Sequence, residues 1–334
     1  MKAVLMHSVG GPEVLKLQEV SEPKIKNPTD VLIRIMAAGV NPVDTKLRSQ
    51  GTYYPDRLPT ILGCDGAGIV EAVGNGCTRF KPGDEVYYCY GGIGWHPGNY
   101  AEFNVIDEKF LARKPKTLDF NEAAAAPLVL ITAWESLYNR ARLDMGHTVL
   151  IHGGGGGVGH VAIQLAKIAG AKVATTVSTA EKAQFARELG ADHTIFYRRV
   201  NFVEDVLDWT GQAGVDVALD TVGADTFVKT LSAAKIYGDV VTLLQPPADC
   251  DWKTARIRNL RVGFELMLTP MYRGLPKAQQ HQAEILTKCA DLFDQGRLRI
   301  HIDRVFALED AAAAHKMIMR AEGRGKLVLA IGQR

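Results

Sequence analysis

The sequence predicts an α/β protein in which a doubly wound parallel sheet is inserted into a β-rich domain, and three observations lead to this prediction. From residue 148 onward, short apolar runs alternate with helix-like runs of about a dozen residues, which is typical of a parallel sheet covered by helices on both faces. The chain before about residue 110 instead has short runs of β-branched and aromatic residues between Gly-, Pro- and Asn-rich turns. After about residue 298 the strand pattern returns in RIHIDRVFAL and GKLVLAI, so both ends of the chain contribute to the β-rich domain.

The individual elements follow this division. The strand candidates of the β-rich part are MKAVLMHS, VLKLQEV, DVLIRIMAAGV, AGIVEAVG, DEVYYCY and YAEFNVI, and an alanine-rich helix begins near Asn121. The strand candidates of the α/β part are TVLIHG, KVATTV, HTIFY, VDVALDTV, DVVTLL and LRVGFEL, which is the number in a complete doubly wound dinucleotide fold. We therefore predict a β-rich domain from residues 1–121 and 268–334 and an α/β domain from residues 122–267.

Composition excludes several classes of protein. The 334 residues are 47% hydrophobic and 23% charged with a net charge of +2, which is typical of a soluble globular chain without the basic cluster of a nucleic-acid-binding surface. No apolar run is long enough to span a membrane, and the N-terminus lacks the apolar core of a signal peptide. The five cysteines are scattered and form no CxxC pair, which argues against a disulfide framework. We expect a cytoplasmic protein that binds neither nucleic acid nor membranes.

The run IHGGGGGVGH, residues 151–160, predicts a dinucleotide site. It lies between the apolar strand TVLI and the helix VAIQLAKIAG, which is the context that the motif G-x-G-x-x-G requires. We assign the tight turn to Gly154, the close approach to a pyrophosphate to Gly156, and the close packing of helix on strand to Gly159. A flexible loop without a ligand is the alternative, and an ATP-type P-loop is excluded because His160 follows. The predicted contacts of the pyrophosphate at the helix N-terminus are Gly154, Gly156, Gly157, Val158 and Gly159.

The end of the second strand indicates NADPH as the cofactor. An NAD site needs an acid at that point for the ribose hydroxyls, but KVATTV is followed by Ser178 and Thr179, with Lys182 one turn later. Hydroxyl donors and an ammonium suit a 2′-phosphate, and Tyr197 after the third strand adds a phenol. Two alternatives stay open: Glu181 reaches a ribose hydroxyl, or Lys182 is a solvated helix residue.

Motifs along nearly the whole chain resemble the medium-chain dehydrogenase/reductase superfamily, and most closely its zinc-free quinone oxidoreductases of the zeta-crystallin type. The matching stretches are GGPEVL, AAGVNPVDTKLRS, LPTILGCDGAGIVEAVG, FKPGDEVY, AAAAPLVLITAWESL, HGGGGGVG, STAEKAQ and GKLVL. The resemblance implies a GroES-like barrel domain, a Rossmann domain and an active site in the cleft between them. It also implies NADPH and a homodimer or homotetramer, with dimers commonly pairing the last Rossmann strand, here near residues 260–266.

The sequence differs from the zinc alcohol dehydrogenases of this superfamily mainly at the positions of the zinc ligands. Zinc alcohol dehydrogenases of this superfamily carry a Cys at the position of Asn41, a His at the position of Cys64, a third ligand at the start of the linking helix, and a four-cysteine structural lobe. Here Asn41 is a poor ligand, residues 127–132 offer none and the lobe is missing. Cys64, Asp65 and His96 leave an accidental site open, but zinc needs about four N or S ligands. We therefore predict no metal, with a zinc-type alcohol dehydrogenase as an alternative.

The predicted reaction follows from the missing metal. Without a metal ion, no Lewis acid polarises the oxygen of an isolated ketone, whereas a quinone or an α,β-unsaturated carbonyl delocalises the incoming negative charge itself. We predict hydride transfer from NADPH to such an acceptor, the proton coming from solvent or a tyrosine. The alternatives are an acyl or lipid-like substrate, with FELMLTPMYRGLP lining an apolar mouth, and an NADPH-binding protein with a non-catalytic role.

The resemblance supplies the remaining site candidates. Asn41 would donate its amide near the nicotinamide or the substrate oxygen, or else it is a turn residue before Pro42. Tyr53 and Tyr54 match a family tyrosine at the substrate mouth, with an exposed loop aromatic as the alternative, and the sequence leaves open which one faces the site. Asp44 is interpreted as a capping or pairing residue. The implied cofactor contacts are Thr132 in ITAWESL, Val222, Leu243 and Leu244 after Rossmann strands, and Lys326 in GKLVL, for which a surface lysine is the alternative.

Overall fold

The computed structural model describes residues 1–320 and 323–332 of the chain. The chain forms two compact units, one from Met1–Leu128 with Leu268–Arg334 and one from Val129–Met267. Compactness alone does not define functional domains, so the boundaries predicted at residues 122 and 267 stay a prediction.

The N-terminal part of the first unit is dominated by strands. Its elements are β1 (Lys2–Met6), β2 (Leu15–Glu19), β3 (Asp30–Val40), α1 (Pro42–Gln50), β4 (Thr60–Ile61), β5 (Asp65–Val73), β6 (Glu85–Cys89), β7 (Phe103–Asp107), β8 (Ala112–Arg113) and α2 (Phe120–Ala125). Strand β3 pairs antiparallel with both β5 and β7, and it is buried along most of its length. The core of this sheet is apolar, with Val31, Ile33, Val86 and Ile106 almost completely buried.

The second unit contains a parallel sheet. Its elements are α3 (Pro127–Trp134), β9 (Thr148–Ile151), α4 (Gly157–Ile168), β10 (Lys172–Val177), α5 (Ala180–Glu188), β11 (His193–Phe196), α6 (Phe202–Trp209), β12 (Val215–Asp220), α7 (Ala224–Ala233), β13 (Ala234–Thr242), α8 (Lys253–Ile257) and β14 (Arg261–Phe264). The strand order is β11-β10-β9-β12-β13-β14, and every pairing in it is parallel. The predicted fold class is therefore confirmed. The fully buried strand residues Leu150, Ala174, Ile195 and Ala218 explain why these strands read as apolar runs.

The C-terminal segment returns to the first unit. Its elements are α9 (Thr269–Tyr272), α10 (Pro276–Asp294), β15 (Ile302–Ala307), α11 (Ala311–Arg320) and β16 (Lys326–Ala330). Strand β16 pairs parallel with β15 and antiparallel with β3, so the sheet order is β15-β16-β3-β5-β6-β8, with β7 also on β3. The pairing of Leu327 with Val40 places Lys326 beside the end of β3.

Among the helices of residues 1–320 and 323–332, none is both long enough and apolar enough to cross a bilayer.

Candidate active site

The glycine loop of the second unit joins β9 to α4. The residue of the loop with a left-handed backbone is Gly153, with φ +69°, so the tight turn assigned to Gly154 depends on Gly153 instead. Gly154 is required for packing, because a Cβ there would lie 2.2 Å from Thr175 Oγ1. A Cβ on Gly159 would lie 2.2 Å from the carbonyl oxygen of Gly153, so no side chain fits where the helix starts. The loop thus has the shape of a backbone cradle.

The N-terminus of α4 gives this cradle its donors. Helix α4 spans 12 residues with Gly156 as its N-cap, and its first turn contains no acidic residue. The first N–H groups of a helix have no intrahelical acceptor, and they lie at the positive end of the helix dipole. The backbone of Gly157, Val158 and Gly159 therefore presents donors suited to a pyrophosphate.

Lys182 lies against the glycine loop. A Cβ on Gly155 would lie 3.0 Å from Lys182 Cγ and 3.1 Å from its Cδ, so the lysine stem crosses directly over the loop. Thr179 is the N-cap of α5, and its Oγ1 accepts a hydrogen bond from Lys182 N at 3.2 Å. Ser178 is half-buried, and Tyr197 is exposed after β11. The structure thus brings Lys182 next to the loop.

The ends of β12 and β13 lie side by side. A Cβ on Gly223 would lie 2.8 Å from Leu244 Cδ1, which places Val222 beside the Leu243–Leu244 turn. The buried carboxylate of Asp220 organises both turns: it accepts from the backbone N–H of Val222 at 2.9 Å and from Thr242 Oγ1 at 2.8 Å. Asp220 was not among the residues predicted from the sequence. The signal was an acidic residue at the end of the apolar run VDVALD.

Thr132, the other predicted cofactor contact of this unit, lies in α3 and is buried.

In the first unit, Asn41 is the N-cap of α1. Its backbone N–H donates to Asp44 Oδ2 at 2.8 Å as part of a capping box, and Pro42 occupies the first helical position. The Asn41 side chain is completely buried. These contacts favour the turn-residue interpretation of Asn41, and its predicted contact with nicotinamide or substrate stays a prediction.

Lys326 is buried against Asn41. Its side chain is 3% exposed, and its ammonium donates to Asn41 Oδ1 and to the Val40 carbonyl at 3.4 Å and lies 3.7 Å from Asp65 Oδ2. Asp65 in turn accepts from Asn41 Nδ2 at 2.8 Å and from the backbone N–H of Leu128 at 2.8 Å. Burial lowers the pKa of Lys326 and raises the pKa of Asp65, and each charge partly offsets the effect on the other. The surface-lysine alternative is therefore wrong, and the predicted contact of Lys326 with cofactor phosphates stays a prediction.

A hydrogen-bonded chain extends this cluster away from Lys326. Tyr100 OH donates to Asp44 Oδ2 at 3.0 Å and lies 3.2 Å from His315 Nε2, and Arg48 Nε donates to His315 Nδ1 at 3.3 Å. Burial raises the pKa of Asp44 to about 7, while burial and the neighbouring Arg48 lower the pKa of His315 to about 3. Asp44 Oδ1 has no hydrogen-bond partner in the part of the chain that the structure describes. Asp44 is a capping residue, as interpreted, and it is also a buried carboxyl group with a raised pKa.

The two tyrosines differ in what they contact. Tyr54 OH donates to the carbonyl oxygen of Tyr272 at 2.8 Å, so its proton is held by the backbone. The ring of Tyr53 packs on the ring of Tyr272 with centroids 4.6 Å apart. Burial raises the pKa of Tyr53, with smaller contributions from the nearby Cys64 and Tyr272. Tyr53 is therefore the tyrosine whose hydroxyl is not held by the Tyr272 carbonyl.

Within residues 1–320 and 323–332, no group of three or more His, Cys, Asp or Glu is placed to hold a metal ion. Cys64 lies beside Asp65, but Asn41 and Asp65 both point at the Lys326 ammonium.

Comparison with known proteins agrees with this architecture. Residues 27–116 match the alcohol dehydrogenase GroES-like domain family, and residues 189–329 match the zinc-binding dehydrogenase family. The chain is 36% identical to a quinone oxidoreductase of Pseudomonas aeruginosa over 330 residues, which cover 98% of this chain and 99% of that protein. It is 33% identical to a 2-haloacrylate reductase of a Burkholderia species, covering 98% of each. Its structure is similar to that of an Escherichia coli quinone oxidoreductase in complex with NADPH, with a TM-score of 0.87, 29% identity, and coverage of 99% of this chain and 100% of that one.

With a GroES-like domain, a parallel Rossmann-type sheet and a glycine loop at its first βα turn, the chain has the architecture of a dinucleotide-dependent oxidoreductase. It belongs to the medium-chain dehydrogenase/reductase superfamily, within the quinone oxidoreductase group. The resemblance drawn from its motifs is confirmed. The protein is accordingly an enzyme of a NAD(P)-binding oxidoreductase family.

Proposed function

We propose that this protein uses NADPH to reduce a quinone or an α,β-unsaturated carbonyl by hydride transfer, with no metal ion in the reaction. The observation that carries the proposal is the buried ammonium of Lys326 on Asn41 and Asp65. Asn41 stands where zinc alcohol dehydrogenases have a Cys ligand. The Lys326 ammonium at that position occupies Asn41 and Asp65 and repels a metal cation, so the residues present do not fit a catalytic zinc.

Two features support NADPH as the cofactor. Lys182 crosses over Gly155 in the glycine loop, and the strand end before it carries Ser178 and Thr179 in place of an acidic residue. An ammonium close to the loop compensates the charge of a 2′-phosphate, whereas an NAD site uses an acidic residue at that point. The NADPH complex of the similar Escherichia coli enzyme adds support.

The acceptor class follows from the chemistry of a metal-free site. When bound, NADPH supplies the hydride. A conjugated acceptor spreads the arriving negative charge over its own oxygen and carbon atoms, so one or two hydrogen-bond donors suffice. We assign the donor role to Tyr53, because the hydroxyl proton of Tyr54 is already held by the Tyr272 carbonyl. The names of the relatives, quinone oxidoreductase and 2-haloacrylate reductase, both refer to conjugated acceptors.

We also propose that the chain forms a homodimer or homotetramer. Strand β14 lies at the edge of the parallel sheet; its last residue, Phe264, is 54% exposed, and Leu266 just after it is 47% exposed. An exposed, apolar edge strand is a surface on which a second copy can pair.

Oxidation of NADPH, with NADH in parallel, tests the proposal against a naphthoquinone, a 2-alkenal and a saturated ketone, each with and without a chelator. We expect chelator-resistant turnover of the quinone or the alkenal with NADPH, little with NADH, and none of the ketone. Turnover of the ketone alone that is lost with chelator would identify a zinc-type alcohol dehydrogenase. Tight NADPH binding without turnover of any acceptor would identify a protein with a non-catalytic role.

A further inference from the structure

Four aromatic rings in the first unit form a connected group, called here the aromatic cluster: Tyr53, Tyr54, Trp95 and Tyr272. The ring centroids of Tyr53 and Tyr272 lie 4.6 Å apart, those of Tyr54 and Tyr272 6.1 Å, and those of Tyr54 and Trp95 5.4 Å. These separations lie in the range in which aromatic rings attract one another. The cluster is therefore one continuous aromatic surface, and it contains the tyrosine that we propose as the donor.

The backbone around Tyr272 holds the cluster in place. Its carbonyl oxygen accepts from Tyr54 OH at 2.8 Å, and the neighbouring Met271, which is buried, accepts from the backbone N–H of Gly91 through its sulfur at 3.2 Å. These two contacts fix α9 against two different loops of the same unit. Ring positions that are fixed before a ligand arrives lose little entropy when it binds.

The cluster remains open to solvent. Trp95 is 52% exposed, and the three tyrosines are half-buried. Exposed aromatic rings that are held rigidly are typical of ligand-binding surfaces rather than of a core.

Two guanidinium groups lie over individual rings of the aromatic cluster. Arg57 lies 4.3 Å above the ring of Trp95, and Arg273 lies 4.7 Å above the ring of Tyr272. Within residues 1–320 and 323–332 neither has a carboxylate at ion-pair distance, whereas Arg140 is paired with Glu265. Stacking on a ring leaves the positive charge of the guanidinium uncompensated. The aromatic cluster thus combines partly exposed aromatic rings with two guanidinium groups that have no carboxylate partner in the described residues.

We propose that the aromatic cluster is a specificity site for acceptors that are planar conjugated rings with an anionic substituent. The ring of the acceptor packs against the edges of the Tyr53–Tyr272 pair, because Tyr53 and Arg273 already lie against the Tyr272 ring. Its anionic group binds the guanidinium group of Arg273 or, further along the cluster, that of Arg57. This inference rests on the proposed function, because Tyr53 is the donor that the bound ring would meet. A carboxylate or sulfonate is the group that guanidinium recognises best, through parallel charge-assisted hydrogen bonds.

Four acceptors separate the effect of the ring from that of the charge: a naphthoquinone, its sulfonate, a 2-alkenal and a 2-haloacrylate. The initial rate of NADPH oxidation gives kcat and KM for each. We expect the sulfonate to have the lowest KM, about 10-fold below the neutral naphthoquinone, as one charge-assisted contact gives roughly that factor. High salt should reduce this difference, because the guanidinium groups are exposed.

Variants assign the two effects to residues. Tyr272→Leu should raise KM for both ring acceptors about 10-fold and raise KM for the acyclic acceptors much less, while Tyr272→Phe, which keeps the ring, should restore a low KM for the ring acceptors. The double variant Arg57→Met/Arg273→Met should abolish the preference for the anionic acceptors. Arg304→Met is the matched control, since Arg304 also lies over an aromatic ring, that of Phe306 at 5.9 Å, outside the cluster.

The outcomes separate this inference from the proposed function. If no acceptor is reduced, the proposed function fails. If acceptors are reduced but the sulfonate has no advantage, or the double arginine variant keeps the advantage, the specificity site is refuted while the proposed function stands. An equal loss for ring and acyclic acceptors in Tyr272→Leu would also refute it, because it would show damage to the fold rather than loss of a ring contact.

Discussion

Replacing Lys326 by Met tests the buried ion cluster directly. The substitution keeps most of the side-chain volume and removes the ammonium from a side chain that is 3% exposed, next to the completely buried Asp65. Asn41 Oδ1 and the Val40 carbonyl lose a charged donor, and the Asp65 carboxylate loses its counter-charge. The Asn41 amide still donates to Asp65 in this variant.

The expected loss of stability is large. Removing one partner of a buried ion pair costs about 3–5 kcal/mol, because the other charge stays buried and unpaired. A typical unfolding free energy is about 5–15 kcal/mol, so this is a substantial fraction of the total. For a domain of roughly 150–250 residues, each kcal/mol lowers Tm by about 2–4 °C, which gives a fall of about 6–20 °C. Lys326→Met/Asp65→Asn removes both charges and should recover most of the loss.

Thermal and urea unfolding of the three proteins measure this effect, and titration with NADPH measures cofactor affinity in parallel. A loss below about 1 kcal/mol in Lys326→Met, or a double variant less stable than the single one, would refute the reasoning about the buried pair. If the double variant folds well but binds NADPH more than about 10-fold more weakly, the predicted contact of Lys326 with the cofactor phosphates is supported. Unchanged affinity would assign Lys326 to the ion cluster alone.

Four further predictions concern separate features. Lys182→Ala should weaken NADPH binding by roughly 10- to 100-fold and leave NADH nearly unaffected, because one charge-assisted contact is lost; equal losses in a fluorescence titration would contradict the 2′-phosphate role. Gly159→Ala should abolish dinucleotide binding, because its Cβ would lie 2.2 Å from the carbonyl oxygen of Gly153. Wild-type affinity in the same titration would show that the loop backbone can shift to accommodate the methyl group. The pKa of Asp44, raised to about 7 from 3.8, means that the unfolding free energy falls as pH rises from about 4 to 7; urea unfolding across this range should show a flatter profile for Asp44→Asn, and identical profiles would exclude Asp44 as the cause. Phe264→Lys should convert the assembly to smaller species in size-exclusion chromatography, and an unchanged elution volume would place the interface elsewhere.

Much of the fold was predictable from the sequence because its signals are local. The strands β9 to β13 are buried apolar runs between helices, so their pattern alone indicates a parallel sheet. The glycine run was recognised for the same reason, since a strand, a turn and a helix follow one another within residues 148–168. Even there, the sequence pattern assigned the turn to Gly154, while the left-handed residue is Gly153. A motif gives the spacing of glycines, and the backbone angles depend on how the loop packs.

The candidate site of the first unit was less predictable because its contacts are distant in sequence. Lys326 and Asn41 are separated by 285 positions, and they meet only because β16 pairs with β3. Tyr54 and Tyr272 are separated by 218 positions, so the sequence could not show which tyrosine has its hydroxyl held by the backbone. His315 had no partner in sequence and lies in a chain of buried hydrogen bonds with Tyr100 and Arg48.

The sequence by itself determined the class of fold, the dinucleotide loop and the superfamily, because hydrophobic period, glycine spacing and contiguous motifs are properties of short stretches. The tertiary structure decided that Lys326 is buried beside Asn41, that Lys182 lies over the glycine loop, and that Tyr272 joins the aromatic cluster. The physical reason is that the charge state and hydrogen bonding of a buried group depend on what surrounds it in space. Those surroundings come from strand pairings and loop contacts between distant parts of the chain.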